Sequence, residues 1–64
     1  MGRRDFERHL RDHGCSLDHH GAKHDMWINP QNQNKAAVPR HRTIKPGLAR
    51  GICRKLGIPT PPGL

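Results

Sequence analysis

Apolar residues recur along this chain in two different rhythms. Over residues 3–13 the rhythm is helical: Phe6, Leu10 and His13 fall on one stripe, with His9 beside them. Arg3, Arg4, Arg8 and Arg11 lie off that stripe and should face water. Asp5 and Glu7 sit in the first turns, where negative charge suits the helix dipole. Gly14 is then the expected left-handed cap residue. Over residues 15–20 the rhythm shortens to two. Cys15, Leu17 and His19 alternate with Ser16, Asp18 and His20, which predicts a short strand with His19 and His20 on opposite faces. Gly21 marks a turn, and residues 24–29 form a second strand closed by Asn29-Pro30. Residues 30–35 are a polar loop. Residues 36–38 form a third, short strand stopped by Pro39. Residues 39–45 are a basic connector.

The helical rhythm returns from Pro46, a residue suited to the first helical position, with Lys45 as the approximate cap. Leu48, Ile52 and Leu56, with Ala49 and Cys53, form its apolar stripe. Gly57 is the expected residue just past the helix, with Ile58 packing behind it. The Pro-rich residues 59–64 read as a flexible, extended tail on a single domain spanning 1–58. The order is helix, three strands, helix, an α+β arrangement. Strands so close in sequence pair most economically as an antiparallel meander, with both helices on one face.

The second strand divides the chain's chemistry between two faces. His24, Met26 and Ile28 share one face; Asp25, Trp27 and Asn29 share the other. Trp27 is the only tryptophan and the largest apolar side chain, so its face should be buried. That leaves His24 looking outward. The rest of the core is expected from Phe6, Leu10, Leu17, Val38, Ile44, Leu48, Ile52, Leu56 and Ile58.

Sixty-four residues allow one domain and a small core. Such a chain gains stability from any partner that binds only its folded form. The net charge of +7 favours a partner rich in phosphate or carboxylate. A membrane is a poor fit, since no apolar run approaches the roughly 20 residues of a spanning helix. The charged amino terminus is followed by no apolar segment of the secretory kind, so a cytoplasmic protein is expected. In that compartment Cys15 and Cys53 read as two small buried thiols rather than a disulfide.

The six histidines admit three readings. The first is catalysis. An imidazole titrates near neutral pH and can move a proton during phosphodiester cleavage. RNA supplies its own nucleophile, the 2′-hydroxyl. His24 could then act as base or acid, with Lys23, Arg40 and Arg42 supplying positive charge and His41 as a second proton-transfer group. The second is metal. Cys15, His19, His20 and His24 are ligand types that zinc accepts, but their spacing fits poorly and no metal is expected. The third is a set of surface histidines with no special role, which suits His9, His13, His19 and His20. Trp27 could stack on a base, yet in so poor a core its structural role takes precedence.

Several of these pieces, in this order, resemble the HicA (YcfA-like) family of toxins from toxin–antitoxin modules. They are the glycine turn leading to His24 with Trp27 three residues on; Val38-Pro39-Arg40-His41; and Ile44-Lys45-Pro46-Gly47-Leu48 followed by Ile52 and Leu56-Gly57-Ile58. The resemblance runs from about Arg4 to Ile58. It implies a fold like the double-stranded RNA-binding domain, α-β-β-β-α. It also implies a type II toxin: an mRNA endoribonuclease (mRNA interferase) that arrests growth, needs no cofactor and is neutralised by a HicB-type antitoxin in a hetero-oligomer. The family's key histidine corresponds to His24. Lys23, Arg40, His41, Arg42 and Lys45 are the expected contacts to RNA phosphate. Many members carry Ser or Gly where this chain has Ala22. The alternative reading is a non-catalytic RNA-binding module of the same fold.

Overall fold

The computed structural model describes residues 1–63. The chain runs α1 (Arg3–Asp12), β1 (Ser16–His20), β2 (His24–Asn29), β3 (Asn34–Pro39) and α2 (Pro46–Leu56). The strands form one antiparallel sheet in the order β1-β2-β3. This is the α-β-β-β-α order expected from the sequence, with β2 at the centre.

The core lies between one face of this sheet and the two helices. Phe6 and Leu10 enter it from α1, and Ala49, Ile52, Cys53 and Leu56 from α2. Trp27, Ala36 and Val38 meet them from the sheet, and Cys15 and Ile44 close the ends. Trp27 is 1% exposed, with the Arg11 guanidinium 5.1 Å from its ring centroid as a lid. Both cysteines are free and buried, and burial pushes the Cys53 thiol up to about 11.

Two expected core residues lie outside. Leu48 is 42% exposed because the buried stripe of α2 runs Ala49-Ile52-Cys53-Leu56, about a quarter turn away. Leu17 is 40% exposed on β1, an edge strand whose five residues are all exposed. His13 also leaves the predicted stripe. It is the C-cap of α1, lies against the His9 ring at 4.3 Å between centroids with the planes tilted by 47°, and donates from Nδ1 to the His9 carbonyl at 2.9 Å.

The third strand is longer than the sequence suggested. Asn34 and Lys35 join its start, and Pro39 ends it opposite His24. Proline is tolerated there because β3 is an edge strand. The polar loop before β3 has a structural role. Asn29 and Asn32 both donate to the Leu56 carbonyl, at 2.9 and 3.0 Å, and so satisfy the C-terminal end of α2. Gly57 follows in the left-handed region at φ 73°. Of the Pro-rich tail, the Pro59 carbonyl accepts a 2.7 Å hydrogen bond from His9 Nε2, and Pro61 is buried. Leu64 lies outside the described residues.

Candidate functional site on the open sheet face

β2 places its side chains as alternation demands. Trp27 and Asn29 are buried toward the helices, and His24 is exposed on the opposite face. Within the described residues no hydrogen bond or ion pair engages the His24 ring. Just past the end of β1, Gly21 faces His24, and its N–H donates to the His24 carbonyl at 2.8 Å. A Cβ on Gly21 would lie 2.7 Å from that carbonyl oxygen, so the close approach requires glycine. Around this glycine lies a depression of about 470 Å³, lined by His19, Gly21, Ala22, Lys23, His24, Met26 and Ala37.

Three contacts hold the turn before His24. Arg40 donates from Nη1 to the Ala22 carbonyl at 3.2 Å, from Nη2 to the Gly21 carbonyl, and from Nε to Asp25 Oδ1 at 2.9 Å. His20 Nδ1 donates to the same Asp25 oxygen at 2.8 Å. The His20 hydrogen bond, assisted by Arg40, holds the Asp25 carboxyl below its ordinary range. Arg40 is therefore engaged with its own chain, tying the end of β3 to the β1–β2 turn.

A second depression, also about 470 Å³, opens at the start of α1. It is lined by Gly2, Arg3, Arg4, Asp5, Arg40 and Arg42. The backbone builds it. Arg3 N–H donates to the Arg42 carbonyl at 3.0 Å, and Gly2 pairs with Thr43 as an isolated bridge. Arginines distant in sequence are thereby gathered around one opening.

The expected phosphate contacts thus separate. Lys23 shares the depression with His24. Arg40 and Arg42 line the arginine opening instead. His41 and Lys45 are exposed and line neither, with Lys45 at the N-cap of α2. Among the described residues no three His, Cys, Asp or Glu side chains converge as metal ligands would.

The residue beside His24 that sequence alternation misplaced is His19. Leu17 pairs with Trp27, but His19 pairs with Met26, because the register slips between them. Asp18 is the extra residue of this bulge. Unbroken alternation would keep Leu17 and His19 on one face. The bulge turns His19 onto the face of Met26 and His24. His19 Nδ1 donates to Asp18 Oδ2 at 2.7 Å, and Lys35 Nζ on β3 lies 3.3 Å from the same oxygen. The hydrogen bond from His19, followed by that of Lys35, lowers the Asp18 pKa.

The fold and this face define a small basic α+β domain that offers an imidazole and a lysine in an open hollow. A family model described as the HicA toxin of bacterial toxin–antitoxin systems matches residues 3–58. The chain belongs to that family, and its role is that of the toxin in a toxin–antitoxin pair. Searches of curated proteins and of solved structures returned no significant match. No helix among the described residues is long and apolar enough to cross a membrane.

Proposed function

We propose that this toxin is an mRNA endoribonuclease that arrests growth, with His24 as its principal proton-transfer group. The observation that carries the reading is the exposed His24 ring beside Lys23, on the sheet face that the helices leave uncovered. RNA brings its own nucleophile, so an imidazole and positive charge suffice and no metal-generated hydroxide is needed. His24 assists attack of the 2′-hydroxyl on the neighbouring phosphorus. The products are a 2′,3′-cyclic phosphate and a free 5′-hydroxyl. Lys23, which lines the same hollow, supplies positive charge for the developing phosphorane. Arg3, Arg4 and Arg42 are placed to hold the RNA backbone further along. Arg40 acts by fixing the turn, and His41 and Lys45 add to the surrounding field.

The partner is an acidic HicB-type antitoxin that covers the His24 face, and both proteins work in the cytoplasm, where messenger RNA is translated. The +7 charge supports an acidic partner. The reading is tested by incubating the purified protein with a long messenger RNA in EDTA, beside a folded His24→Ala variant. The parent should cleave, and the variant should lose about 100-fold or more in rate. Equal cleavage by both would remove His24 from the mechanism. Salt-dependent binding without cleavage by either would make the protein an RNA-binding module.

A further inference from the structure

Resting on the ribonuclease reading, we infer that His19 is the second proton-transfer group of the site, oriented by Asp18. It donates a proton to the 5′-oxygen that leaves, while His24 takes the proton of the 2′-hydroxyl. Three features of the open face lead here.

The first is placement. His19 pairs with Met26 and Gly21 lies opposite His24, so the two imidazoles are diagonal neighbours across β1 and β2. Diagonal cross-strand positions are about 7–8 Å apart. That leaves room for one phosphodiester, with a hydrogen bond to an imidazole on either side. Gly21 and Met26 stand at the other two corners of the square, and Gly21 has no side chain to fill the hollow between the rings.

The second is orientation. The 2.7 Å hydrogen bond to Asp18 fixes the proton of His19 on Nδ1 and leaves Nε2 to face a substrate. Lys35, 3.3 Å from the same carboxylate, holds Asp18 ionised and in place. His24 has no hydrogen-bond partner of this kind among the described residues, so its ring nitrogens are open to a substrate. His20 bonds Asp25 on the other face and is spoken for.

The third is chemistry. As the 2′-oxygen bonds to phosphorus, the bond from phosphorus to the 5′-oxygen breaks. One proton leaves the 2′-hydroxyl for His24, and one passes from His19 to the 5′-oxygen. Charge and atoms balance, and both imidazoles return to their starting forms by exchange with water. The charged groups around His19 are Asp18 on its own strand, Lys35 on β3, and Lys23 and His24 across the hollow.

The test uses the full chain and an RNA oligonucleotide spanning a site mapped from a messenger RNA digest. A second oligonucleotide carries sulfur in place of the 5′-bridging oxygen at that site. A thiolate leaves without a proton, so it bypasses the need for an acid. His19→Gln should lose about 100-fold or more on ordinary RNA and recover most of it on the sulfur substrate. His24→Gln should lose activity on both. Asp18→Asn, which keeps the side-chain shape, should show a smaller loss with the same recovery on sulfur. His19 is exposed on an edge strand, and thermal melting of each variant checks that it folds. A folded His19→Gln that matches the parent on ordinary RNA overturns the assignment while leaving the ribonuclease reading intact. So does a loss that sulfur does not relieve. A parent that cleaves no RNA overturns both.

Discussion

The two faces of β2 differ in what they require of a side chain. On the helix side Trp27 is 1% exposed and Asn29 is 4% exposed. Each fits one position, Trp27 by filling the core and Asn29 by bonding the Leu56 carbonyl at 2.9 Å. On the other side His24 is exposed, and Met26 and Ile28 are only half-buried. The first face sets whether the protein folds; the second carries the chemistry of the proposed function. A single strand serves both because its side chains alternate, so the site is as rigid as the core beneath it.

This contrast is broken most directly from the buried side. Trp27→Ala should lower the unfolding free energy by about 3–5 kcal/mol, much of what a small domain has. His24→Gln should leave it within about 0.5 kcal/mol of the parent. Urea unfolding of the two variants checks the pair. A His24 variant as unstable as the Trp27 variant would show that the open face also holds the fold.

Asp25 sharpens the comparison, because it lies on the buried-side alternation yet secures the turn of the open side. Asp25→Asn removes the charge that Arg40 and His20 share, and should lower stability by about 1–3 kcal/mol. The effect has a predicted pH window. The Asp25 carboxyl is held below its ordinary value, so its contribution is fully present above the unfolded value of about 3.9. The contribution fades as pH falls through the lower, folded value. The gap between parent and Asp25→Asn in urea midpoint should therefore close on acidification. A gap unchanged at low pH would mean that packing, not charge, is what Asp25 supplies.

The smallest effect belongs to Leu48→Gln. An apolar residue on the outer side of α2 should be replaceable within about 0.5 kcal/mol, against several for Leu56→Ala. Denaturant midpoints of the two variants measure the width of the buried stripe.

Much of the architecture was legible because periodicity and burial agreed. Phe6, Leu10, Ile52 and Leu56 fell at helical spacing and are buried, and Trp27 fixed which face of β2 turns inward. Leu17 and Leu48 misled because hydrophobicity alone does not show whether a neighbouring element covers a position. The surroundings of His24 were harder to read. Arg40 looked like a free cation, and nothing local shows that it folds back onto Gly21, Ala22 and Asp25. His41 looked suitable by its nearness to the third strand, but it does not line the hollow. His19 was hidden by a bulge, which period-two counting cannot see. An Asp between an apolar residue and two histidines was the one available signal, since a charged residue interrupts the pattern there.

The same bulge bears on how the molecule behaves in a crowd. An edge strand with an unbroken row of free N–H and C=O groups is a template on which another chain can build. β1 is an edge strand, five residues long and uncovered by either helix, but its row is not unbroken. Its irregularity at Asp18, with a carboxylate and a nearby lysine ammonium, spoils that template. A variant with Asp18 deleted and β1 straightened would present a smoother edge. It should clump at concentrations where the parent stays dispersed, because the kink that turns one imidazole toward the hollow also discourages sheet-to-sheet growth.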